Sequence, residues 1–246
     1  MNTTGERTIL VTNDDGILAD GLIRLVRAAR KYGEVWVVAP DDQRSAASHG
    51  ISLHKSVDVL PAPGFPVEDV RAFACSGSPA DCVRVGLLNI IPKKTDLVLS
   101  GINHGFNAAS DIQYSGTLGA AFEARFQGVP AIAFSEGTDP CLEVPDAYLE
   151  RMLEELIPLD PGPDRVWNVN FPACPLSDLR GILRDRKVSR SMFYKDHYNV
   201  LCTLPGGGVR LMVEGDRVRE GEEGTDMGAL INNYISVGTV NNVGYP

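Results

Sequence analysis

The stretch TILVTNDDG, residues 8–16, decides how the rest of the chain is interpreted. Its first five residues form the largely apolar run of a buried parallel strand, and open α/β sheets bind their ligands at the carboxyl ends of such strands. Adjacent strand residues point to opposite faces, so Asp14 and Asp15 converge on one point only if the chain turns, which Gly16 permits. Two converging anions indicate a hard divalent cation, because oxygen atoms of this type are its preferred ligands.

Size and charge restrict the class of protein. The chain has 246 residues and a formal net charge of -9, with a pI of about 4.9. This length suits one α/β core with an appendage, so we expect a catalytic core over residues 1–180 and a hairpin arm with a C-terminal extension over 181–246. An acidic chain of this kind lacks the basic surface that binds nucleic-acid polymers.

The cysteine pattern and the hydrophobicity indicate where the protein works. The five cysteines are scattered along the chain without the paired spacing of a metal site, which predicts reduced thiols. No apolar stretch approaches the length of a membrane span, and residues 1–7 lack the apolar core of a signal peptide. We therefore expect a cytoplasmic protein that does not use a membrane.

Short apolar runs alternate with helical patterns along the chain. Leu22, Leu25, Val26 and Ala29 repeat with helical spacing between the first two apolar runs. The predicted strands cover residues 9–12, 35–39, 97–100, 131–134 and 166–169, and the predicted helices cover 78–88, 118–126 and 145–157. This alternation predicts an α/β fold with a mostly parallel sheet and helices on both faces.

The pattern changes after about Gly181. Two apolar runs, residues 200–204 and 209–213, flank three consecutive glycines and predict a hairpin. A last strand is expected over residues 234–240. An α/β core cannot bury all of these elements. They therefore predict an arm that contacts another copy of the chain. A solvated flap over the same domain is an equally open interpretation.

Three further segments carry polar groups that suit a metal and phosphate site. The segment PDDQRSAASHG, residues 40–50, offers Ser45 and His49, and GINHGFN, residues 101–107, offers the neutral oxygen of Asn103. YSGT, residues 114–117, precedes a helix, where hydroxyls and free N–H groups favour a phosphate. Each segment alone is also typical of an ordinary turn or helix cap. What favours a site is that all of them follow strands of one sheet.

These segments closely resemble the SurE family of survival-protein nucleotidases. The resemblance covers nearly the whole chain in order, which makes a chance match very improbable. It rests on the strings ILVTNDDGI (9–17), VVAPD (37–41), RSA (44–46), CSGSPADC (75–82), SGINHGFN (100–107), YSGT (114–117), NVNFP (168–172), EGTD (223–226) and YISV (234–237).

The resemblance implies a Rossmann-like fold and a metal-dependent phosphatase. Its substrates would be nucleoside 5′- and 3′-monophosphates, with short polyphosphate as a possible second substrate. The C-terminal extension would support a homodimer or homotetramer. The implied cofactor is Mg²⁺ or Mn²⁺, and the implied metal ligands, with the first two also catalytic, are Asp14, Asp15, Ser45 and Asn103. The residues implied to bind substrate phosphate are Asn103, Ser115, Gly116 and Thr117.

Two other functions are weighed against this one. A phosphatase with an aspartate nucleophile commonly places its acids on alternate residues, whereas Asp14 and Asp15 are adjacent and no threonine follows them. A non-catalytic nucleotide-binding regulator is also possible in principle, but both common glycine-rich phosphate loops are missing from the sequence. The general acid and base of the reaction are not assigned, although His49 is a candidate.

Overall fold

A nine-stranded sheet forms the centre of the protein, whose computed structural model describes residues 7–241. The strands of this sheet are β1 (Thr8–Thr12), β2 (Glu34–Pro40), β3 (Val59–Pro61), β4 (Arg71–Cys75), β5 (Leu97–His104), β6 (Ala131–Glu136), β7 (Arg165–Phe171), β8 (Gly181–Leu183) and β11 (Tyr234–Asn241). A separate two-stranded sheet consists of β9 (Tyr194–Thr203) and β10 (Val209–Arg217). The helices are α1 (Asp20–Ala29), α2 (Pro79–Val85), α3 (Gly116–Phe126), α4 (Glu143–Leu156) and α5 (Asp226–Ile231).

The strand order creates a ligand-binding position. The order is β3-β4-β2-β1-β5-β6-β7-β11-β8, and the run from β4 to β7 is parallel throughout. Successive connections move outward in opposite directions from β1 and β5, so the topological switch point lies between these two strands. Thr12 and Ser100 are register partners there. The predicted Rossmann-like, mostly parallel sheet is confirmed, and the segment NDDG leaves it at the switch point.

Helices cover both faces of the sheet, as the sequence predicts. On one face α1 and α4 bury Leu22, Leu25 and Met152 against the strands. On the other face α2 and α3 contribute Val83 and Leu118 to a second core. The central strands are buried on both sides, which is why they are apolar at nearly every position. Within residues 7–241, no helix combines the length and apolar character needed to span a membrane.

Helix boundaries follow local capping chemistry. The Ser78 side chain accepts a hydrogen bond from the Asp81 backbone N–H, and Asp81 returns a bond to the Ser78 N–H, so α2 begins with a capping box. The helical run was expected to continue to residue 88. It continues beyond α2 as a π-helical turn over Gly86–Ile90. The strands β3 and β4 were not predicted, because they are short and only partly buried.

The C-terminal region combines a buried strand with an exposed hairpin. The last strand, β11, pairs with β7 in antiparallel orientation and with β8 in parallel orientation, and most of it is buried. The core was expected to leave some of the C-terminal elements uncovered, and β11 is one that it covers. An antiparallel strand added to a parallel sheet closes the otherwise open edge of β7. The predicted hairpin is present and longer than expected, and β9 and β10 extend away from the main sheet.

Candidate metal and phosphate site

A turn at Gly16 brings the two carboxylates to the end of β1. Gly16 has a φ of +102°, which a residue with a side chain rarely adopts. The Asn13 side-chain amide donates to the Gly16 carbonyl oxygen over 2.9 Å, and the Ile17 N–H donates to the Pro40 carbonyl oxygen over 2.8 Å. The first bond fixes the turn internally, and the second attaches it to the end of β2. The predicted change of direction after β1 is confirmed.

Asp14 is the buried member of the pair. Its side chain is covered by the first turn of α3, and the residue is 5% exposed. The Thr117 hydroxyl donates to Asp14 Oδ1 over 2.7 Å. Burial raises the pKa of Asp14 from 3.8 to about 6, although the hydrogen bond from Thr117 opposes the rise and the charge of Asp15 adds to it. A Cβ atom at Gly116 would lie 2.9 Å from the Asp14 Cβ, so only glycine allows this close approach.

Asp15 faces a different environment. It is partly exposed, and its Oδ2 accepts from the backbone N–H of His104 over 2.9 Å. Its Oδ1 accepts from the Gln43 side chain over 3.2 Å. These contacts tie the carboxylate to the ends of β2 and β5. Sequence reasoning missed them, because a backbone donor at His104 and a glutamine in a loop leave no distinctive pattern.

A buried polar network positions the carboxylate of Asp14. The Asn107 side-chain amide donates to Thr117 Oγ1 over 3.2 Å and to Ser135 Oγ over 2.8 Å. Because the Thr117 oxygen accepts this bond, its O–H is directed to Asp14. The backbone of Asn107 is fixed in turn by two buried side chains of β7, Asn168 and Asn170. No sequence pattern assigned this role to Asn107, so it emerges from the fold alone.

Asn103 lies at the end of β5, and Ser45 lies on the loop after β2. The Asn103 amide nitrogen donates to the Gly105 carbonyl oxygen over 2.8 Å, which leaves its side-chain oxygen to act as an acceptor or ligand. Ser45 is exposed and follows Arg44, whose backbone N–H donates to the Asp14 carbonyl oxygen over 2.7 Å. The Ser45 loop is therefore attached to the Asp14 backbone.

The far end of the Ser45 loop is anchored to α3. His49 Nε2 lies 2.8 Å from Glu123 Oε2, and the Ser48 hydroxyl donates to the Gln113 carbonyl oxygen over 3.0 Å. His49 was a candidate for contact with the reacting groups. Its ring instead pairs with a buried acid and lies near Phe122 and Phe126, so its visible role is to hold the loop.

The donor set suits a hard divalent cation. Among the ion pairs of residues 7–241, none gives Asp14 or Asp15 a cationic partner, and the Arg44 guanidinium pairs with Asp41 instead. Two neighbouring carboxylates without a counter-charge repel each other, and a bound cation would neutralise their negative charge. Among the described residues, no group of three or more histidine, cysteine, aspartate or glutamate side chains is arranged so that it could hold a metal ion. A metal here would therefore need neutral oxygen ligands in addition to the two carboxylates.

The start of α3 forms the other side of the site. The Ser115 side chain caps the helix by accepting from the Leu118 N–H over 3.0 Å. This confirms the cap interpretation, and the same arrangement leaves the helix N-terminus beside Asp14. Gly116 lacks a side chain at this point, and the helix dipole favours negative charge there.

The fold and the site define an α/β protein with a candidate metal and phosphate site at the switch point of a Rossmann-like sheet. The family model described as Survival protein SurE matches residues 9–193. The chain therefore belongs to the SurE family.

Named relatives agree over most of the chain. The 5′-nucleotidase SurE of Clostridium botulinum (strain ATCC 19397 / Type A) is 37% identical over 233 residues, which cover 93% of this chain and 90% of the relative. The 5′-nucleotidase SurE of Pelobacter propionicus is 38% identical over 234 residues, with 93% and 91% covered. The crystal structure of the SurE protein from Aquifex aeolicus matches with a TM-score of 0.78 and 33% identity, covering 95% of this chain and 93% of that one.

Proposed function

We propose that this protein is a divalent-metal-dependent 5′-nucleotidase that hydrolyses nucleoside monophosphates to nucleosides and phosphate. The observation that carries the proposal is the uncompensated pair Asp14 and Asp15 at the switch point, beside the N-terminus of α3. The 5′-nucleotidase names of the relatives support the choice of substrate. Activity on nucleoside 3′-monophosphates and on short polyphosphate remains part of the proposal.

The proposed metal ligands are Asp14, Asp15, Ser45 and Asn103, with Mg²⁺ or Mn²⁺ as the ion. Oxygen ligands of this kind favour these cations over those that prefer thiolate or imidazole. When bound, such an ion neutralises phosphoryl charge and lowers the pKa of a bound water. The Thr117 hydroxyl holds one oxygen of Asp14, and the His104 N–H holds one of Asp15, so both carboxylates keep their orientation.

The proposed phosphate-binding residues are Asn103, Ser115, Gly116 and Thr117. The hydroxyls of Ser115 and Thr117 already serve the helix cap and Asp14. The helix N-terminus and its backbone N–H groups are therefore the main attraction that this side offers to a phosphate. Positioning and charge neutralisation would supply most of the catalysis in such a site.

We also propose that the hairpin of β9 and β10 joins copies of the chain into a homodimer or homotetramer. Two cross-strand pairs, Val200 with Leu211 and Tyr198 with Val213, place four apolar side chains on one face of the hairpin. All four are exposed in the single chain, and solvent-exposed apolar strips of this kind favour association. None of the five cysteines forms a disulfide in the structure, which supports the proposed cytoplasmic location.

A phosphate-release assay tests the catalytic proposal. AMP and an aryl phosphate are each incubated with the chelated protein, then with added Mn²⁺ or Mg²⁺. Phosphate release that depends on the added ion supports the proposal, and equal release without metal contradicts it. An acyl phosphate on the protein that survives an acid quench would favour the aspartate-nucleophile alternative. Tight AMP binding without turnover would favour the regulatory alternative.

A further inference from the structure

The Ser45 loop has an unfavourable backbone conformation. Ala46 and Ser48 have φ values of +56° and +52°, in the left-handed region that residues other than glycine rarely adopt. Such a conformation persists only where the surrounding structure holds it. At one end of the loop, the Arg44 N–H is bonded to the Asp14 carbonyl oxygen. The position of Ser45 therefore depends on what holds the other end.

The other end of the Ser45 loop lies directly against α3. The Ser48 N–H donates to the Tyr114 carbonyl oxygen over 3.0 Å, just before the helix begins. On the helix, a Cβ atom at Gly119 would lie 2.1 Å from the Ser48 carbonyl oxygen. The backbones of the loop and the helix are thus too close for a side chain between them. The next residue, His49, supplies a side chain that attaches the loop to the helix.

Glu123 is the buried acceptor on α3 for this attachment. It is 3% exposed, and its Oε2 lies 2.8 Å from His49 Nε2. Its Oε1 accepts from the Arg84 guanidinium of α2 over 3.0 Å and from the Gln127 side chain over 2.9 Å. Burial opposes ionisation, but the hydrogen bonds of these three partners outweigh it and lower the pKa of Glu123. Glu123 is therefore a charged anchor whose place is fixed by two helices.

The surroundings of His49 allow its contact with Glu123 to be removed without loss of the fold. The centre of the imidazole ring lies 5.1 Å from that of Phe126 and 6.4 Å from that of Phe122. An apolar side chain of similar size can pack against these rings. Glu123 keeps its two other donors when His49 is replaced, so its buried charge remains paired.

We propose that the contact of His49 with Glu123 keeps Ser45 in place as a metal ligand. His49 is then a positioning residue that sets the affinity for the divalent cation and does not touch the reacting groups. The inference rests on the proposed function, because the metal is taken to lie at Asp14, Asp15 and Ser45. Contacts that orient metal ligands typically change metal affinity by about 10-fold to 100-fold.

Two substitutions of His49 test the proposal through metal binding. His49→Leu removes the donor, and His49→Gln keeps an N–H group that can reach Glu123. Bound Mn²⁺ is titrated in each chelated protein, and kcat for AMP is measured at saturating Mn²⁺. The Kd for Mn²⁺ should rise on the order of 10-fold in His49→Leu, and His49→Gln should restore most of the affinity. Because saturating metal compensates for lost affinity, kcat should change by no more than about threefold in either variant.

Amide hydrogen exchange of the metal-free protein tests the loop without metal or substrate. The N–H groups of Arg44 and Ser48 should exchange on the order of 10-fold faster in His49→Leu than in the unaltered protein. The amides in the middle of α3 should keep their protection. The matched control is His54→Leu at an exposed position, which should change neither the exchange nor the Mn²⁺ affinity.

The outcomes separate the inference from the proposed function. Unchanged Mn²⁺ affinity in His49→Leu would overturn the inference and leave the nucleotidase function standing. Normal affinity with a large loss of kcat in both variants would overturn it as well and would assign His49 to the reaction. Equal loss of protection throughout α3 would mean a general loosening, which also contradicts it.

If His49→Leu does not fold, as judged by thermal unfolding, His49→Asn replaces it. Its shorter side chain withdraws the donor from Glu123 and should weaken Mn²⁺ binding in the same way. Absence of both Mn²⁺ binding and phosphate release in the unaltered protein would refute the proposed function itself.

Discussion

The carboxyl edge of β1 and the hairpin of β9 and β10 are opposite kinds of structure. At the edge, Asp14 is 5% exposed, and its hydroxyl donor, Thr117, is fully buried. In the hairpin, Tyr198 is 67% exposed and Val200 is 62% exposed. The edge is fixed by contacts from several strands of one chain. The hairpin has a paired backbone, but its apolar side chains have no core to cover them within the described chain.

This difference separates the proposed metal site from the proposed interface between copies of the chain. A site whose side chains are all held by one chain can bind its metal without help from another copy. A two-stranded hairpin alone is only marginally stable in water, so an apolar face on it gains from a partner. We therefore expect substitutions at the edge to remove activity, and substitutions in the hairpin to change assembly first.

The largest effect is expected from Asp15→Asn. The change removes one negative charge with almost no change in size, so the proposed metal loses a ligand and the site loses half of its anionic charge. The rate of phosphate release from AMP should fall on the order of 100-fold or more. Circular dichroism should match that of the unaltered protein. A near-normal rate with normal metal content would mean that the carboxylate pair is not the catalytic centre.

A smaller effect, of opposite sign, is expected on stability from Asp14→Asn. Because its folded-state pKa is raised to about 6, the stability linked to protonated Asp14 is present below about pH 4 and is lost as the pH rises through about 6. Asparagine stays neutral at every pH. In metal-free protein at neutral pH, the variant should therefore gain on the order of 1 to 3 kcal/mol in the free energy of unfolding.

This gain is measured by urea unfolding in the presence of chelator. It should shrink to about 0.5 kcal/mol near pH 4 and vanish below about pH 3, where Asp14 is protonated in both states. The exposed Asp178→Asn serves as the matched control and should give no such pH dependence. A variant that is less stable than the unaltered protein at neutral pH would contradict the burial argument. Activity should fall in Asp14→Asn at the same time, because the proposed metal loses a ligand.

The polar network behind Asp14 predicts an intermediate loss of rate. Thr117→Val keeps the shape of the side chain and removes the hydroxyl that donates to Asp14. The rate should fall on the order of 10-fold, and the apparent affinity for Mn²⁺ should fall with it, because second-layer contacts orient metal ligands. Thr117→Ser retains the hydroxyl and should restore most of both quantities. Unchanged Mn²⁺ affinity in Thr117→Val would show that the network is only structural.

The smallest effect on activity is expected in the hairpin. The double substitution Val200→Glu with Leu211→Lys replaces a cross-strand apolar pair by two opposite charges. Such a pair keeps the strands together and is stable when exposed to solvent. Light scattering of the unaltered chain should give at least twice 26.6 kDa, and the double variant should give a lower mass. The rate per chain should change by no more than about twofold, since the edge of β1 is untouched. A monomeric unaltered protein would refute the assembly proposal.

A deletion within the hairpin is a second test of assembly, and its end points must spare the residues that pack at the base of the hairpin. Phe193 is 1% exposed and packs with Met227 and Leu230 in a small core at the base of the hairpin. A deletion that begins at Phe193 would therefore damage the main body. A shortened hairpin that joins Asp196 to Gly215 through an Asn-Gly turn removes the exposed strands and keeps this core, since these two residues are already paired. It should give the same fall in mass as the double substitution.

The sequence predicts the parts of the fold that depend on local pattern. Buried parallel strands are continuous apolar runs, so β1, β2, β5, β6 and β7 are recognisable, and so is the turn at Gly16. The burial of β11 was not predicted, because a strand with alternating character suits an edge or an interior position equally well. Pairing with β7 depends on residues far apart in the chain, which periodicity does not report.

The sequence also predicts only the part of the candidate site that depends on local pattern. Asp14 and Asp15 were identified by their position after a strand, and the structure brings the end of β5 and the start of α3 to them. The contacts that orient the carboxylates were not predicted. The hydroxyl of Thr117, the amide of Asn107 and the backbone N–H of His104 gain these roles only when α3 and the end of β5 meet the end of β1.

The central claim is that Asp14 and Asp15 hold a divalent cation that phosphate release requires. Its most direct test is a titration of chelated protein with Mn²⁺, in which bound metal and the rate of phosphate release from AMP are measured in the same samples. We predict that both rise together and saturate at about one ion per chain, and that Asp15→Asn shows neither rise in the same concentration range. Full activity before any metal is bound would contradict the claim, as would an unaltered titration of Asp15→Asn.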